Sequence, residues 1–195
     1  MKKMLSTLVL FSTLALTRCA TPPAPVGYDV TMIKPTPAPQ MVYSDESIRI
    51  RFAMSKTWYH GPEFGGLSIF GRWENYDGIS FELENKTDKI MTIDWTMITV
   101  TDCTGASGNP VMHRGVEPRL CYGPKQPTVI GPKDILRDII IPCYAIRIYP
   151  TGCYVYMLPS PLEVPEPEFG LYLPLKIGED LYVYRFAFRA KKASR

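Results

Sequence analysis

The cysteines and histidines are the residues of this chain whose chemistry could support catalysis or metal binding. The sequence contains five cysteines and two histidines in 195 residues. His60 and His113 stand in neither an HExxH arrangement nor another paired-ligand spacing, so we expect no metal centre on them. The chain also lacks the GxSxG and SxxK motifs and a glycine-rich phosphate loop. The sequence therefore predicts a protein that is not an enzyme and has no cofactor.

Four of the cysteines lie in the second half of the chain, at Cys103, Cys121, Cys143 and Cys153. As thiolates they could bind zinc, but they lack the CxxC-like clustering of zinc sites. We expect disulfides instead, and three pairings of four cysteines are possible. The local pairs Cys103–Cys121 and Cys143–Cys153 are favoured, because each closes a short loop that contains glycine or proline between predicted strands.

The fifth cysteine, Cys19, follows a segment with the pattern of an export signal. Lys2 and Lys3 precede an apolar run over residues 4–16. This run is shorter than the roughly 20 residues that a membrane-spanning helix needs. Residues 1–18 are therefore predicted to be a signal peptide, and the alternative is a buried strand or helix at the N-terminus.

Residues 16–19 (LTRC) resemble the lipobox of bacterial lipoproteins, in which a leucine lies three residues before the cysteine that receives lipid. Arg18 departs from this pattern, because the family has a small residue there. The resemblance implies a membrane anchor at Cys19, and Ala20 in place of aspartate implies the outer membrane. Ordinary cleavage after Ala15 is the alternative, and it would leave a periplasmic or secreted protein.

The segment after Cys19 has the composition of a tether. Residues 19–41 are rich in proline, alanine and threonine, which favours an extended chain between the anchor and a folded domain over residues 42–195. Lipid on Cys19 would also leave an even number of cysteines, as expected in an oxidising compartment.

The net charge argues against nucleic acid as a partner. The leader contains three of the 22 basic residues and no acidic residue, so the chain from Cys19 onward has 19 basic and 19 acidic residues. A neutral chain lacks the electrostatic footprint of a nucleic-acid-binding protein.

From residue 42 onward the sequence shows the period-two alternation of β-strands. Ile48, Ile50 and Phe52 alternate with Arg49 and Arg51, which predicts a strand with one buried face. Similar patterns occur at 79–84, 91–97, 126–130, 135–141, 144–149, 153–157, 171–177 and 181–190. Many short strands separated by turn signals predict an all-β fold, namely an antiparallel β-sandwich of immunoglobulin-like architecture.

Three local features refine this prediction. After Met97 the apolar residues shift from odd-numbered to even-numbered positions, which indicates a bulge or bend there. Pro174 suggests that its strand lies at an edge of the sheet. The last strand bears an aromatic stripe that could be a ligand platform but is more simply explained as core. The stripe consists of Tyr182, Tyr184, Phe186 and Phe188.

The middle of the domain resembles uncharacterised exported β-proteins of bacteria, many of them lipoproteins. The resemblance covers about sixty residues of turns and strands and implies no activity. It is carried by Phe81, Leu83, Asn85, Thr87, Ile93–Trp95, Asp102, Thr104–Ser107, Val111–Val116 and Val129–Lys133.

A stretch rich in glycine and aromatic residues, 57–78, is the candidate contact surface of the chain. Its aromatic side chains could stack on sugar rings or contact a protein partner, whereas a hairpin with inward-facing aromatics is the structural alternative. The candidate contact residues are Trp58, Tyr59, Phe64, Trp73 and Tyr76.

Three functions are compatible with these observations. The favoured one is a non-catalytic envelope lipoprotein whose tethered β-domain binds other envelope proteins. The second is a carbohydrate- or peptidoglycan-binding module that uses the 57–78 aromatics. The third is a periplasmic hydrolase with a carboxylate pair that sequence motifs do not reveal, although Glu82 and Glu84 are more simply a solvated strand face.

Overall fold

A computed structural model describes residues 28–38, 40–57, 76–149, 152–155 and 166–192. This part of the chain is all-β, with two single-turn 3₁₀ helices, η1 (Pro118–Leu120) and η2 (Cys143–Ala145). No helix among these residues has the length and apolar character needed to cross a membrane. The strands are β1 (Tyr28–Lys34), β2 (Val42–Ser44), β3 (Ile48–Thr57), β4 (Tyr76–Asn85), β5 (Met91–Ile93), β6 (Thr99–Thr101), β7 (Asn109–Met112), β8 (Thr128–Ile130), β9 (Ile135–Pro142), β10 (Ile146–Tyr149), β11 (Gly152–Val155), β12 (Glu168–Ile177) and β13 (Asp180–Lys192).

The strands form one curled sheet, in the order β1-β13-β12-β6-β7-β9-β4-β11-β10. On the flanks, β2 pairs with β3 and β3 with β4, while β5 bridges β12 and β8. All of these pairs are antiparallel except β11 with β4. Strand β7 pairs with β6 on one side and with β9 on the other, so it joins the two halves of the sheet. The predicted all-β, antiparallel fold is confirmed.

The apolar alternation read from the sequence produces the core. Ile48, Ile50 and Phe52 are buried on β3, whereas Arg49 and Arg51 between them are exposed. The Phe52 ring lies 4.8 Å from that of Phe186 on β13, a strand to which β3 is not hydrogen-bonded. The sheet therefore curls so that the inner faces of its two halves meet around a shared core.

The aromatic stripe of β13 belongs to that core for most of its length. Tyr184, Phe186 and Phe188 are buried, and only Tyr182 at the start of the strand is exposed. The structure therefore supports the core interpretation of this stripe over the ligand platform.

Strand β1 corrects the predicted tether. Residues 28–34 lie within the segment 19–41, yet they pair antiparallel with β13, from Tyr28 opposite Lys192 to Lys34 opposite Ala187. Met32 is buried in the core. The prediction of a tether was wrong here because it relied on the high proline content of residues 19–41 and overlooked a short alternating strand within them. The folded domain includes Tyr28–Lys34.

Pro174 lies on a central strand, so the edge-strand prediction was wrong. Strand β12 pairs with β13 on one side and with β5 and β6 on the other. Counted from the two-residue turn Gly178-Glu179, Pro174 and Val183 form a non-hydrogen-bonded pair, so the proline nitrogen points away from β13. It faces the gap between β5 and β6, where no ladder needs an N–H.

That gap is filled by a turn, which confirms the bend predicted near Met97. The side chain of Asp94 accepts a hydrogen bond from the backbone N–H of Thr96 at 2.9 Å. The N–H of Met97 donates to the carbonyl of Asp94 at 3.1 Å. The turn exposes Met97 and buries Ile98, and this accounts for the shift of the apolar residues from odd-numbered to even-numbered positions.

Candidate functional site

A polar cluster lies inside the curled sheet, built from Trp95, His113 and Asp138. The imidazole of His113 stacks flat on the indole of Trp95, with ring centroids 4.0 Å apart and planes 6° apart. Its Nδ1 lies 3.3 Å from Oδ2 of Asp138. Trp95 is fully buried, and the other two side chains are largely buried. The ring is therefore fixed both by stacking and by a carboxylate.

Three separate elements position this cluster. Trp95 belongs to the turn after β5, His113 follows β7, and Asp138 lies on β9. Oδ1 of Asp138 accepts the backbone N–H groups of Arg114 at 3.0 Å and Ile139 at 2.7 Å. The indole Nε1 of Trp95 donates to Oγ1 of Thr128 at 2.8 Å. Each buried polar atom thus has a partner, and the cluster ties these elements together.

A histidine oriented by a carboxylate is a pair that enzymes use for proton transfer and that metals use as ligands. Within the described ranges, however, no group of three or more histidine, cysteine or acidic side chains is placed to hold a metal ion. The Trp95 ring covers one face of the imidazole. The geometry supports a locking role for His113 in the junction between β7 and β9.

The sequence contains one indication of this cluster that is not a spacing motif, namely a carboxylate at a buried strand position. Asp138 lies at alternate positions with Leu136 and Ile140 on β9, and the residues from Asp138 to Pro142 are all buried. A buried carboxylate requires partners, and His113 supplies one of them. Neither the partner nor the stacking on Trp95 follows from residue spacing.

A disulfide joins Cys121 to Cys143, with Cα atoms 5.7 Å apart. The predicted local pairing of Cys103 with Cys121 and of Cys143 with Cys153 is therefore wrong. Loop length alone does not reveal the β7–β9 ladder, in which Val111 pairs with Pro142. That ladder brings the segment after β7, including Cys121, alongside the start of η2.

Cys103, predicted to form a disulfide, has a free and partly buried thiol. Burial raises the pKa of Cys103 to about 11, and the neighbouring carboxylate of Asp102 adds to the shift. Burial also raises the pKa of the Tyr144 hydroxyl, with further contributions from Cys103 and Asp102. A thiol with so high a pKa is a poor nucleophile at neutral pH. Cys153 is on β11, and its side chain lies outside the described residues.

The state of Cys103 predicts slow alkylation. With a pKa near 11 instead of about 9, the thiolate fraction at pH 8 is roughly 100-fold smaller than that of an ordinary cysteine. Iodoacetamide labelling followed by peptide mass mapping should show correspondingly slow modification of Cys103. The labelling rate should rise steeply with pH up to about pH 11. In urea it should reach the rate of an ordinary cysteine. Rapid labelling of the native protein at pH 8 would contradict the burial of this thiol.

The disulfide predicts a sensitivity of stability to reduction. Closing a loop of this size, with a sequence separation of 22 residues, should stabilise the fold by about 3 kcal/mol on the chain-entropy model. Urea denaturation of the Cys121→Ala/Cys143→Ala double variant should show this loss. Cys103→Ala is the matched control and should shift stability much less. A wild-type midpoint that is unchanged by dithiothreitol would contradict the disulfide.

A surface groove of about 420 Å³ lies beside the disulfide. Tyr122, which lines the groove, is 73% exposed, and Leu120 close to it in sequence is also exposed. The groove combines apolar, aromatic and cationic side chains, a mixture common at protein-binding surfaces. Its lining consists of Pro118, Arg119, Cys121, Tyr122, Cys143, Tyr144 and Ile146.

The acidic pair Glu82 and Glu84 lies on the outer face of β4, as expected of a solvated strand face. Glu82 accepts a hydrogen bond from Nε of Arg137 at 2.7 Å and lies 3.5 Å from Arg51. The hydrogen bond from Arg137 lowers the pKa of Glu82, and the charges of Arg137, Arg51 and Arg49 act in the same direction. A carboxylate held ionised by arginines is unsuited to the role of a general acid.

The remaining predicted site residues lie outside the described part of the chain. These residues are Cys19, Trp58, Tyr59, Phe64 and Trp73. Tyr76 is the first residue of β4, but its side chain is also outside the described residues. The lipid anchor and the 57–78 contact surface therefore stay predictions from the sequence.

No protein-family model matches this sequence, and a comparison with curated proteins found no significant match.

Proposed function

We propose that this protein is exported and held in the bacterial cell envelope by lipid on Cys19, where its β-domain acts as a non-catalytic interaction module. The Cys121–Cys143 disulfide is the structural observation that supports this proposal most directly. Disulfides form and persist in oxidising compartments such as the periplasm and the cell surface. The disulfide is thus compatible with the signal peptide predicted over residues 1–18.

The lipid anchor rests on the lipobox-like residues 16–19, and the outer membrane is proposed from Ala20 after the cysteine. A lipidated chain has only residues 20–27 between Cys19 and β1. At about 3.1 Å per residue, eight residues reach roughly 25 Å. The domain would therefore stand close to the membrane surface.

The curled sheet is proposed to be a β-sandwich of immunoglobulin-like architecture. Support comes from the inner faces, where Phe52 on β3 contacts Phe186 and Phe188 on β13. Tyr43 on β2 likewise lies against Tyr184 and Phe186. Aromatic contacts between strands that share no hydrogen bonds are typical of two packed layers.

An interaction role is favoured by the surface beside the disulfide. Tyr122 and Leu120 present apolar area next to Arg119, and tyrosine and arginine are enriched at binding hot spots. Other proteins of the envelope are the proposed partners. Both Tyr122 and Leu120 are exposed, so their side chains are accessible to a partner.

The experiment that tests the proposal is metabolic labelling with palmitate, followed by membrane fractionation. Wild-type protein should take up label and sediment with the outer membrane, whereas Cys19→Ala should do neither. Arg18→Gly restores the small residue of the lipobox and should speed processing of the precursor. An unlabelled wild-type protein in the soluble fraction would overturn the anchor.

A further inference from the structure

Strand β10 is one end of the sheet, and within the described ranges it pairs with β11 alone. Two residues separate the paired Tyr149 and Gly152, so this pair is hydrogen-bonded and the next one, Ile148 with Cys153, is not. The backbone N–H and C=O of Ile148 therefore point away from β11. A strand edge of this kind is a template for pairing with another chain.

Strand β1, at the other end of the sheet, has features that protect its edge. Its register with β13 shifts between Met32 and Lys34. On the side away from β13, the carbonyl of Met32 accepts a hydrogen bond from the N–H of Ala38 at 3.0 Å. Bulges and covering segments keep an edge strand from pairing with other chains. The β10–β11 ladder has no register shift, so β10 presents the more regular edge.

The groove beside the disulfide adjoins β10. Its lining includes Ile146, the first residue of β10, together with Cys143 and Tyr144 of η2, which leads into that strand. The rest of the lining comes from η1 and the two residues after it. A strand added to β10 would have alternate side chains on the side of this groove.

The backbone on either side of Tyr122 is fixed by the fold. Cys121 is tied by the disulfide, and its carbonyl accepts a hydrogen bond from Nζ of Lys125 at 2.6 Å. The carbonyl of Gly123 accepts from the same Nζ at 3.1 Å, and its N–H donates to the carbonyl of Leu120 at 2.8 Å. An aromatic side chain on a fixed backbone loses less entropy when it binds, so Tyr122 is suited to anchor a ligand.

The charge of the groove lining is positive. Arg119 is a lining residue, and none of the lining residues is acidic. Two acidic neighbours are outside the lining, namely Glu117, which precedes η1, and Asp102, whose charge raises the pKa of Tyr144. The Asp102 carboxylate is engaged in its own loop, where Oδ1 accepts the N–H and the hydroxyl of Thr104. A carboxylate in the groove would therefore have Arg119 as its partner.

We infer that an extended acidic segment of another envelope protein adds to β10 as a further strand, an inference that rests on the proposed interaction role. Main-chain hydrogen bonds to Ile148 would hold the segment, and the groove would select its side chains. An apolar or aromatic side chain of the segment packs on Tyr122. A neighbouring carboxylate forms charge-assisted hydrogen bonds with Arg119.

Selection of short random peptides displayed on phage, against the full mature protein in detergent, tests this inference. The selected sequences should combine aspartate or glutamate with an apolar or aromatic residue. For a synthetic peptide of the selected sequence, fluorescence anisotropy should show a Kd raised about tenfold or more by Tyr122→Ala and by Arg119→Ala. Tyr182→Ala and Arg51→Ala remove exposed residues of the same types elsewhere and should leave the Kd unchanged.

N-methylation of the peptide distinguishes strand addition from binding through side chains alone. A strand at the edge of β10 directs every second N–H toward it. Methylation of that set should raise the Kd about tenfold or more, whereas methylation of the other set should not. Equal effects of the two sets, or selected peptides without acidic residues, would overturn the inference. A non-reducing gel that shows the disulfide in each protein variant confirms that the variant is folded.

Photo-crosslinking in native membranes separates this inference from the proposed function. A benzophenone amino acid replaces Leu120, which is exposed in η1, and mass spectrometry maps the adduct. An acidic segment of another envelope protein supports the inference, whereas a different surface of such a protein overturns it and leaves the interaction role in place. An adduct within one chain, or between two copies, overturns the inference as well. If palmitate-labelled protein in the membrane gives no adduct, the interaction role and the inference both fail.

Discussion

Replacing Trp95 with alanine should lower the free energy of unfolding by about 4 kcal/mol, within the range of about 3–5 kcal/mol for loss of a buried aromatic side chain. Trp95 is fully buried, and its ring stacks on His113 at 4.0 Å and packs near Phe81 at 6.3 Å. The variant also leaves the hydroxyl of Thr128 without its indole donor. Urea denaturation followed by circular dichroism measures the loss.

Trp95→Phe is the matched control, because it keeps an aromatic face for His113 but removes the Nε1 donor to Thr128. It should cost about 1–2 kcal/mol, the sum of one hydrogen bond and a modest loss of packing. A loss of less than 1 kcal/mol in the alanine variant would contradict the place given to Trp95 at the centre of the core.

Asn85→Ala should be the most damaging polar substitution in the described part of the chain, with a loss of about 3 kcal/mol. Asn85 is fully buried at the end of β4. Its Nδ2 donates to the carbonyls of Lys89 at 2.7 Å and Gly131 at 3.0 Å. Its Oδ1 accepts from the backbone N–H and the hydroxyl of Thr87 at 3.1 and 2.7 Å. Alanine would leave these groups unsatisfied in two adjoining loops.

Asn109→Ala is the control for this prediction. Asn109 makes one exposed side-chain hydrogen bond, from Nδ2 to the carbonyl of Ala106 at 2.9 Å, so its loss should cost less than about 1 kcal/mol. Thermal unfolding of both variants gives the comparison. Equal effects of the two substitutions would show that Asn85 does not hold the two loops together.

The strands were largely predictable because one face of each is buried. Ile79, Phe81 and Leu83 alternate with Glu82 and Glu84, and the structure buries the first set and leaves the glutamates on the outer face. Period-two patterns report burial directly, so they predict strands even without relatives. They do not report which strands pair, and for that reason the order of the strands in the sheet could not be predicted from the sequence.

The sequence predictions that were wrong share a physical cause, since each concerned a feature that depends on residues far away in the chain. Pro174 is tolerated in a central strand only because β5 and β6 leave a gap opposite it. The Cys121–Cys143 disulfide depends on the β7–β9 ladder, not on local loop closure. Tyr28–Lys34 form a strand because β13 extends far enough to pair with them.

The polar cluster was predictable only in part. An aspartate that alternates with Leu136 and Ile140 on β9 indicates a buried carboxylate that needs a partner. His113 is 25 residues away in sequence, and Trp95 reaches it only through the turn after β5. Spacing motifs capture sites within one element, whereas this cluster is assembled from three.

The mass of the mature N-terminus tests the central claim most directly. The protein purified from its own membranes without reduction should begin at Cys19 and carry a diacylglyceryl group and an amide-linked acyl chain. Its peptide map should contain Cys121 linked to Cys143. An unmodified chain that begins near Leu16 would contradict the lipid anchor and leave only export in place.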